Sequence, residues 1–268
     1  TTNIQTHLQL DKKIYTFVKT TKTMKRILTL LLALFALGCA PKSAEQAQSD
    51  KYTIEGAITV SKECDVEWLT RYEEKYIKAL KERAAVEPAE CDVMFFGSSS
   101  IRLWKSLHED MAPLTVVNRG YGGATLRDLH YHYQTVMAHY KPKAFVFYCD
   151  NDLRTKAEID IPVGELFDLA RLLFKRIEQE YPGTPIYFLA VKHSKRREAI
   201  RDRQAVYNAL MKEYCERSNN NVIYVDTCTP LLTANGEIDT TLFTDDNIHL
   251  NAEGYKRWTK ILRELLIK

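Results

Sequence analysis

Glycine and proline are scarce. Ten glycines and eight prolines in 268 residues exclude a collagen-like or low-complexity chain. Six cysteines are too few to staple a chain of this length as a disulfide scaffold. Neither sign of charge dominates, with 38 basic against 35 acidic side chains, and the small basic excess is local. Before residue 39 lie Lys12, Lys13, Lys19, Lys22, Lys25 and Arg26 against Asp11 alone. The remainder is slightly acidic and offers no electrostatic footprint for nucleic acid. The apolar run Ile27–Leu37 falls well short of the ~20 residues a helix needs to cross a bilayer. What is present is an ordinary globular composition, 45% apolar and 27% charged, enough to bury a core.

Met24-Lys25-Arg26, the run Ile27–Leu37 and the closing Gly38-Cys39-Ala40 have the order of a secretory signal: basic, apolar, then small residues. Residues 1–23 read as an extension upstream of a start at Met24, and 24–38 as the signal peptide. A small residue before Cys39 resembles the lipobox of bacterial lipoproteins, although Ala36 stands where leucine is usual. That resemblance implies a lipid anchor on Cys39, a tether over 39–51 and an extracytoplasmic, membrane-anchored protein. More than one acyl chain gives stable attachment. Of the other cysteines, Cys64, Cys91, Cys149, Cys215 and Cys228 are odd in number. They are expected to be buried free thiols, with no disulfide assigned.

From Val66 to Ala85, Trp68, Leu69, Tyr72, Tyr76, Ile77 and Leu80 recur at helical spacing, which predicts an amphipathic helix. Short apolar runs then alternate with longer periodic segments. The runs at 93–96, 115–117, 145–148, 186–189 and 222–225 are strand length, and helical patterns follow at 126–140, 164–181, 197–216 and 252–266. Strands apolar on both faces and alternating with helices predict an α/β protein, a three-layer α/β/α sandwich with a five-stranded parallel sheet. One such domain is expected over 52–268.

In an open parallel sheet, ligands bind outside the carboxyl ends of the strands. Four segments there carry chemistry: Gly97-Ser98-Ser99-Ser100, Asn118 to Gly123, Asp150-Asn151-Asp152, and Asp245 to His249. Together they hold a hydroxyl, a glycine turn, an amide and an acid–imidazole pair, the inventory of serine acyl transfer. Ser98, Ser99 and Ser100 compete, and serine at a helix start is also a common cap. The glycines between 120 and 123 suit a tight turn or a close backbone approach, and the segment completes neither a dinucleotide nor a P-loop pattern. Asn151 fits a turn former or an oxyanion donor. Asp246 and His249, three apart, suit one helical turn that orients the imidazole, with Asp245 as the backup acid.

With those residues in hand, the chain resembles the SGNH/GDSL hydrolases, esterases and lipases on a flavodoxin-like fold. Phe96 to Ile101 looks like the first family block, with Ser99 in the nucleophile position and Ser98 where the family often has aspartate. Val117-Asn118 through Gly123-Ala124-Thr125 resembles the second block, Asn151-Asp152 the third, and Asp246 to His249 the fifth. Gly97 to Arg102, with His249-Leu250-Asn251, Gly254-Tyr255 and Trp258, is similar to a branch whose nucleophile block reads GSSSIR. The resemblance implies a catalytic Ser99–His249–Asp246 triad and an oxyanion hole from Ser99, Gly123 and Asn151. Cys149-Asp150 depart from the glycine usual before the asparagine, which puts the aim of Asn151 in question.

The expected activity is hydrolysis of carboxylic esters through an acyl-enzyme, with short acyl groups on carbohydrates as substrates. A lysophospholipase, or a non-catalytic lipid-anchored binding protein on the same fold, is the alternative. No metal or other cofactor is expected, and His130 and His132 read as packing or surface residues. The run Lys192 to Arg197 reads as a solvated turn or a contact to an anionic substrate.

Overall fold

Five strands, β1 (Glu90–Gly97), β2 (Val116–Gly120), β3 (Lys141–Tyr148), β4 (Ile186–Leu189) and β5 (Val222–Val225), form one sheet in the order β2-β1-β3-β4-β5. Every pair is parallel. The computed structural model describes residues 69–153, 161–217 and 220–267, so the upstream extension, signal, Cys39 and tether lie outside the described residues. No described helix is long and apolar enough to cross a membrane.

The strand pleat divides the core between two faces. Met94 and Phe96 of β1 and Phe145 and Phe147 of β3 pack on one side, with Leu80, Tyr133, Phe174, Tyr207 and Met211. Val93, Phe95, Val146 and Tyr148 pack on the other, against Trp104, Met111, Tyr255 and Trp258. The sequence expectation of a sheet covered on both faces therefore holds. Helices α1 (Lys78–Ala84), α2 (Ser99–Arg102), α3 (Leu107–Met111), α4 (Leu126–Tyr131), α5 (Tyr133–Met137), α6 (Val163–Glu180), α7 (Arg201–Arg217) and α8 (Ala252–Leu266) follow in chain order. Asn251 caps α8 by accepting from the Gly254 N–H at 3.1 Å, and the indole of Trp258 donates to the Thr227 carbonyl at 3.0 Å.

Three helical patterns come out broken. Around 73–77 the turn is widened, because the N–H groups of Tyr76 and Ile77 both donate to the Tyr72 carbonyl. The pattern over 126–140 splits at His132, whose buried ring meets the Leu69 carbonyl at 3.1 Å. The pattern from 197 begins as a 3-10 segment, Lys195–Ile200, with a kink at Arg197. His130 is also buried, with Nε2 at 2.9 Å from the Leu169 carbonyl. Cys91, Cys149 and Cys228 are buried free thiols and Cys215 is a half-buried one, whereas Cys64 lies outside the described residues.

Topology creates the crevice. The chain leaves β1 for β2 on one side and returns to β3 on the other, so loops from β1 and β3 diverge at their carboxyl ends. Those ends are level, because Gly97 pairs with both Gly120 and Tyr148.

Sequence patterning gives no hint of Arg119, a fully buried cation in β2. Its guanidinium donates to the carbonyls of Val136 (3.1 Å), Leu80 (2.9 Å) and Thr135 (2.7 Å), binding α5 and α1 to the sheet. Arg119→Ala should orphan these buried acceptors and cost about 3 kcal/mol. The check is the urea midpoint, which should fall with the slope unchanged.

Candidate active site

At the end of β1 the backbone must turn sharply. Gly97 has φ +124°, and a Cβ there would stand 2.0 Å from the Tyr148 carbonyl oxygen, so only glycine passes. The Ser98 N–H donates to that same carbonyl at 2.8 Å, and Ser98 takes an extended conformation as the residue before α2.

The competition among the three serines is resolved by where each side chain goes. Ser98 is fully buried. Ser100 is buried and accepts from the Lys192 ammonium at 2.9 Å. Ser99, half-buried, has its Oγ at 2.8 Å from His249 Nε2.

His249 and Asp246 do not lie on a helical turn, as their spacing had implied. They sit in a tight loop closed by the Phe243–Leu250 bridge, with the Thr244 N–H donating to the His249 carbonyl at 2.8 Å. Asn247 takes φ +57° in it, a conformation asparagine tolerates. One Asp246 oxygen accepts from the N–H groups of Ile248 and His249, both at 2.9 Å, and from the Thr244 hydroxyl at 2.8 Å. The other lies 2.5 Å from His249 Nδ1. Burial alone would push the Asp246 carboxyl up; the hydrogen bonds from His249, Ile248 and Thr244 outweigh it and hold the group far below the ordinary carboxylate range. An ionised Asp246 facing Nδ1 favours the tautomer in which Nδ1–H donates and Nε2 accepts the Ser99 proton. Asp245 is exposed, with its carbonyl accepting from the Asn247 amide; Asp246, not Asp245, is the imidazole's acid.

Gly123 has φ +77°, and a Cβ there would meet the Tyr72 hydroxyl at 2.1 Å, so the glycine loop serves both a positive φ and a close approach. Asn151 is buried, with Nδ2 donating to the Ala124 carbonyl at 2.9 Å. Ser99, Gly123, Asn151 and His249 all line one cleft of about 320 Å³, walled also by Tyr72, Lys75, Tyr76, Arg102 and Ile248. All the predicted catalytic and oxyanion residues therefore meet at one site.

The Cys149-Asp150 departure and the Lys192 to Arg197 run turn out to be one feature. Asp150 is buried, with Arg197 Nη1 at 2.6 Å, Lys192 Nζ at 3.5 Å and the Tyr148 hydroxyl donating at 2.9 Å. Lys192 is 1% exposed and also donates to the Tyr148 hydroxyl at 2.9 Å. The segment is split: Lys195 and Arg196 are exposed, as in a solvated turn, whereas Lys192 and Arg197 turn inward and line the cleft. Sequence reasoning placed these residues near the site but missed that Asp150 pairs with Lys192 and Arg197. Burial works against the Asp150 anion, but Arg197, Lys192 and the Tyr148 hydroxyl hold its carboxyl far below the ordinary range. Burial likewise lowers the Lys192 ammonium, with Asp150 opposing.

A serine turn, an acid–imidazole loop and an amide at the carboxyl edge of a 2-1-3-4-5 sheet make an arrangement able to carry out acyl transfer, and the chain's family is one of ester-hydrolysing enzymes. The chain belongs to the GDSL-like lipase/acylhydrolase family, whose profile matches residues 92–257. In fold it is similar to a protein from Streptococcus pneumoniae (TM-score 0.64, 20% identity, covering 78% of this chain and 98% of that one). It is also similar to a GDSL-like lipase from Bacteroides thetaiotaomicron (0.57, 18%, covering 72% and 97%). An acetylxylan esterase from Geobacillus stearothermophilus is a further neighbour (0.55, 16%, covering 66% and 94%). No curated protein matches the chain in sequence.

A depressed carboxyl adds stability that is complete above about pH 4 and is lost as pH falls toward its lowered value. Asp150→Asn should therefore flatten the acid limb of stability between pH 4 and lower values. It should also cost about 3–5 kcal/mol at neutral pH by stranding buried cations. Urea unfolding measured across pH checks both.

Proposed function

We propose that this chain is a serine esterase in which Ser99 is the nucleophile, His249 the general base and acid, and Asp246 the group that orients and stabilises the imidazole. The observation that carries this reading is the unbroken path from Asp246 through His249 to Ser99, at 2.5 and 2.8 Å, opening into the cleft that Gly123 and Asn151 line. His249 Nε2 takes the Ser99 proton as Oγ attacks the ester carbonyl. The N–H groups of Ser99 and Gly123 and the Asn151 amide receive the oxyanion. The imidazolium protonates the departing alcohol, leaving an acyl group on Ser99. Water, deprotonated by His249, then releases the acid and restores the serine.

The substrates we assign are short acyl esters on carbohydrates. Ile248 is the one aliphatic side chain among the described residues lining the cleft, beside two tyrosine rings and several cations. Such walls suit a small acyl group and a polar alcohol, with the rings packing on the apolar faces of a sugar; a long acyl chain needs an apolar groove. One fold neighbour is named an acetylxylan esterase, in keeping with this choice. We further propose that the enzyme works outside the cytoplasm on a lipid anchor at Cys39, a reading supported by the Met24 to Ala40 pattern.

Ser99→Ala should lower turnover of an aryl acetate by ~10³-fold or more, and Asn151→Ala by about 10²–10³-fold. Across aryl esters of graded length, acetyl should exceed octanoyl; the reverse order would favour a lysophospholipase. Cys39→Ala should move the protein from the membrane to the soluble fraction, read by fractionation and by loss of acyl mass on the mature N-terminus.

A further inference from the structure

An oxyanion donor must be aimed before the reaction begins, since a side-chain amide free to rotate presents its oxygen as readily as its nitrogen. Here the Asn151 amide is held at both ends. Nδ2 donates to the Ala124 carbonyl at 2.9 Å, and Oδ1 accepts from Arg197 Nη2 at 2.7 Å. The Arg197 guanidinium is itself anchored, with Nη1 at 2.9 Å from the Asp150 carbonyl oxygen and 2.6 Å from its carboxylate. One cation thus grips the backbone, the side chain and the following side chain of a single strand-end turn.

The same segment reaches the other half of the site. The Arg196 N–H donates to the Asn247 carbonyl at 3.1 Å, inside the loop that carries Asp246 and His249. Arg197 lies at the kink of its 3-10 segment, with φ −115° and ψ 19°, where its N–H meets the Ser194 carbonyl at 2.9 Å. Its side chain is 12% exposed, so the bond to Asn151 is largely shielded from water.

We infer that Arg197 is a positioning residue for the oxyanion hole: its guanidinium locks the Asn151 amide with the nitrogen toward the reacting carbonyl and polarises it. A charge-assisted hydrogen bond to the amide oxygen is stronger than a neutral one. Drawing electron density toward that oxygen makes the amide N–H a better donor, and the low local dielectric preserves the effect. Asp150, at 2.6 Å, neutralises and orients the guanidinium. This assignment rests on the acyl-transfer reading above.

The test is a set of single and double variants assayed for kcat and KM on 4-nitrophenyl acetate, with thermal melting to verify folding. Arg197→Met should lower kcat about 10–10²-fold and leave KM nearly unchanged. Arg197→Lys keeps a charge beside Asp150, but its single ammonium cannot replace the guanidinium fork on both partners. It should therefore fold even where the methionine variant does not, and should show an intermediate kcat loss. In an Asn151→Ala background, either Arg197 change should have little further effect, because the amide it aims is gone. Wild-type kcat in Arg197→Lys overturns the proposal, and so does a full, additive loss in the Asn151→Ala background. A rise in KM alone also overturns it, since that marks a direct substrate contact. Ser99→Ala separates the two levels of argument. Activity retained there removes the acyl-transfer reading itself. Activity lost in Ser99→Ala and Asn151→Ala but kept in Arg197→Lys removes only the role given to Arg197.

Discussion

The close pass of Gly97 over the Tyr148 carbonyl sets the geometry on which everything else relies. A carbonyl oxygen 2.0 Å from where a Cβ would stand leaves room for no side chain. The Ser98 N–H bonded to that carbonyl then fixes the direction in which the chain leaves β1. With that turn pinned to β3, α2 starts at the sheet edge and Ser99 becomes the serine that faces outward. The adjoining residues of β3 lead directly to Asp150 and Asn151, so the Ser99 hydroxyl and the Asn151 amide are tied to the same two hydrogen-bonded strands.

Charge is managed beneath the cleft by compensation, since taking an ion out of water is costly unless it is paired and hydrogen-bonded. Asp150 meets Arg197 and Lys192, Lys192 in turn holds the Ser100 hydroxyl, and Tyr148 bridges the acid and the ammonium. Two cations around one carboxylate leave the floor of the site biased toward positive potential. That is the sign needed where an ester carbonyl gains negative charge.

Much of this was legible in the residues themselves. The expected runs at 186–189 and 222–225 coincide with β4 and β5, because both are short and apolar with punctuated ends. The pattern at 252–266 coincides with α8, where an Asn cap and an amphipathic face agree. Elsewhere tertiary contacts decided the local form: a buried histidine interrupts the helix after Tyr131, and the Asp246 to His249 spacing belongs to a loop. Three apart on a helix and three apart in a tight turn look alike in a sequence, and only the hydrogen bonds onto the Asp246 carboxylate separate them. The inward, paired placement of Arg119, Lys192 and Arg197 was opaque for one shared reason. A buried cation is recognised by the carbonyls and carboxylates that surround it, and these come from distant parts of the chain.

The acid and the base share one short loop, while the alcohol stands on a different element. Breathing of the sheet edge therefore stretches only the link between imidazole and hydroxyl; the carboxylate travels with its imidazole as a preassembled cassette. Grafting the loop between Phe243 and Leu250 onto another scaffold would carry both partners in correct mutual register, leaving a single distance for the engineer to tune.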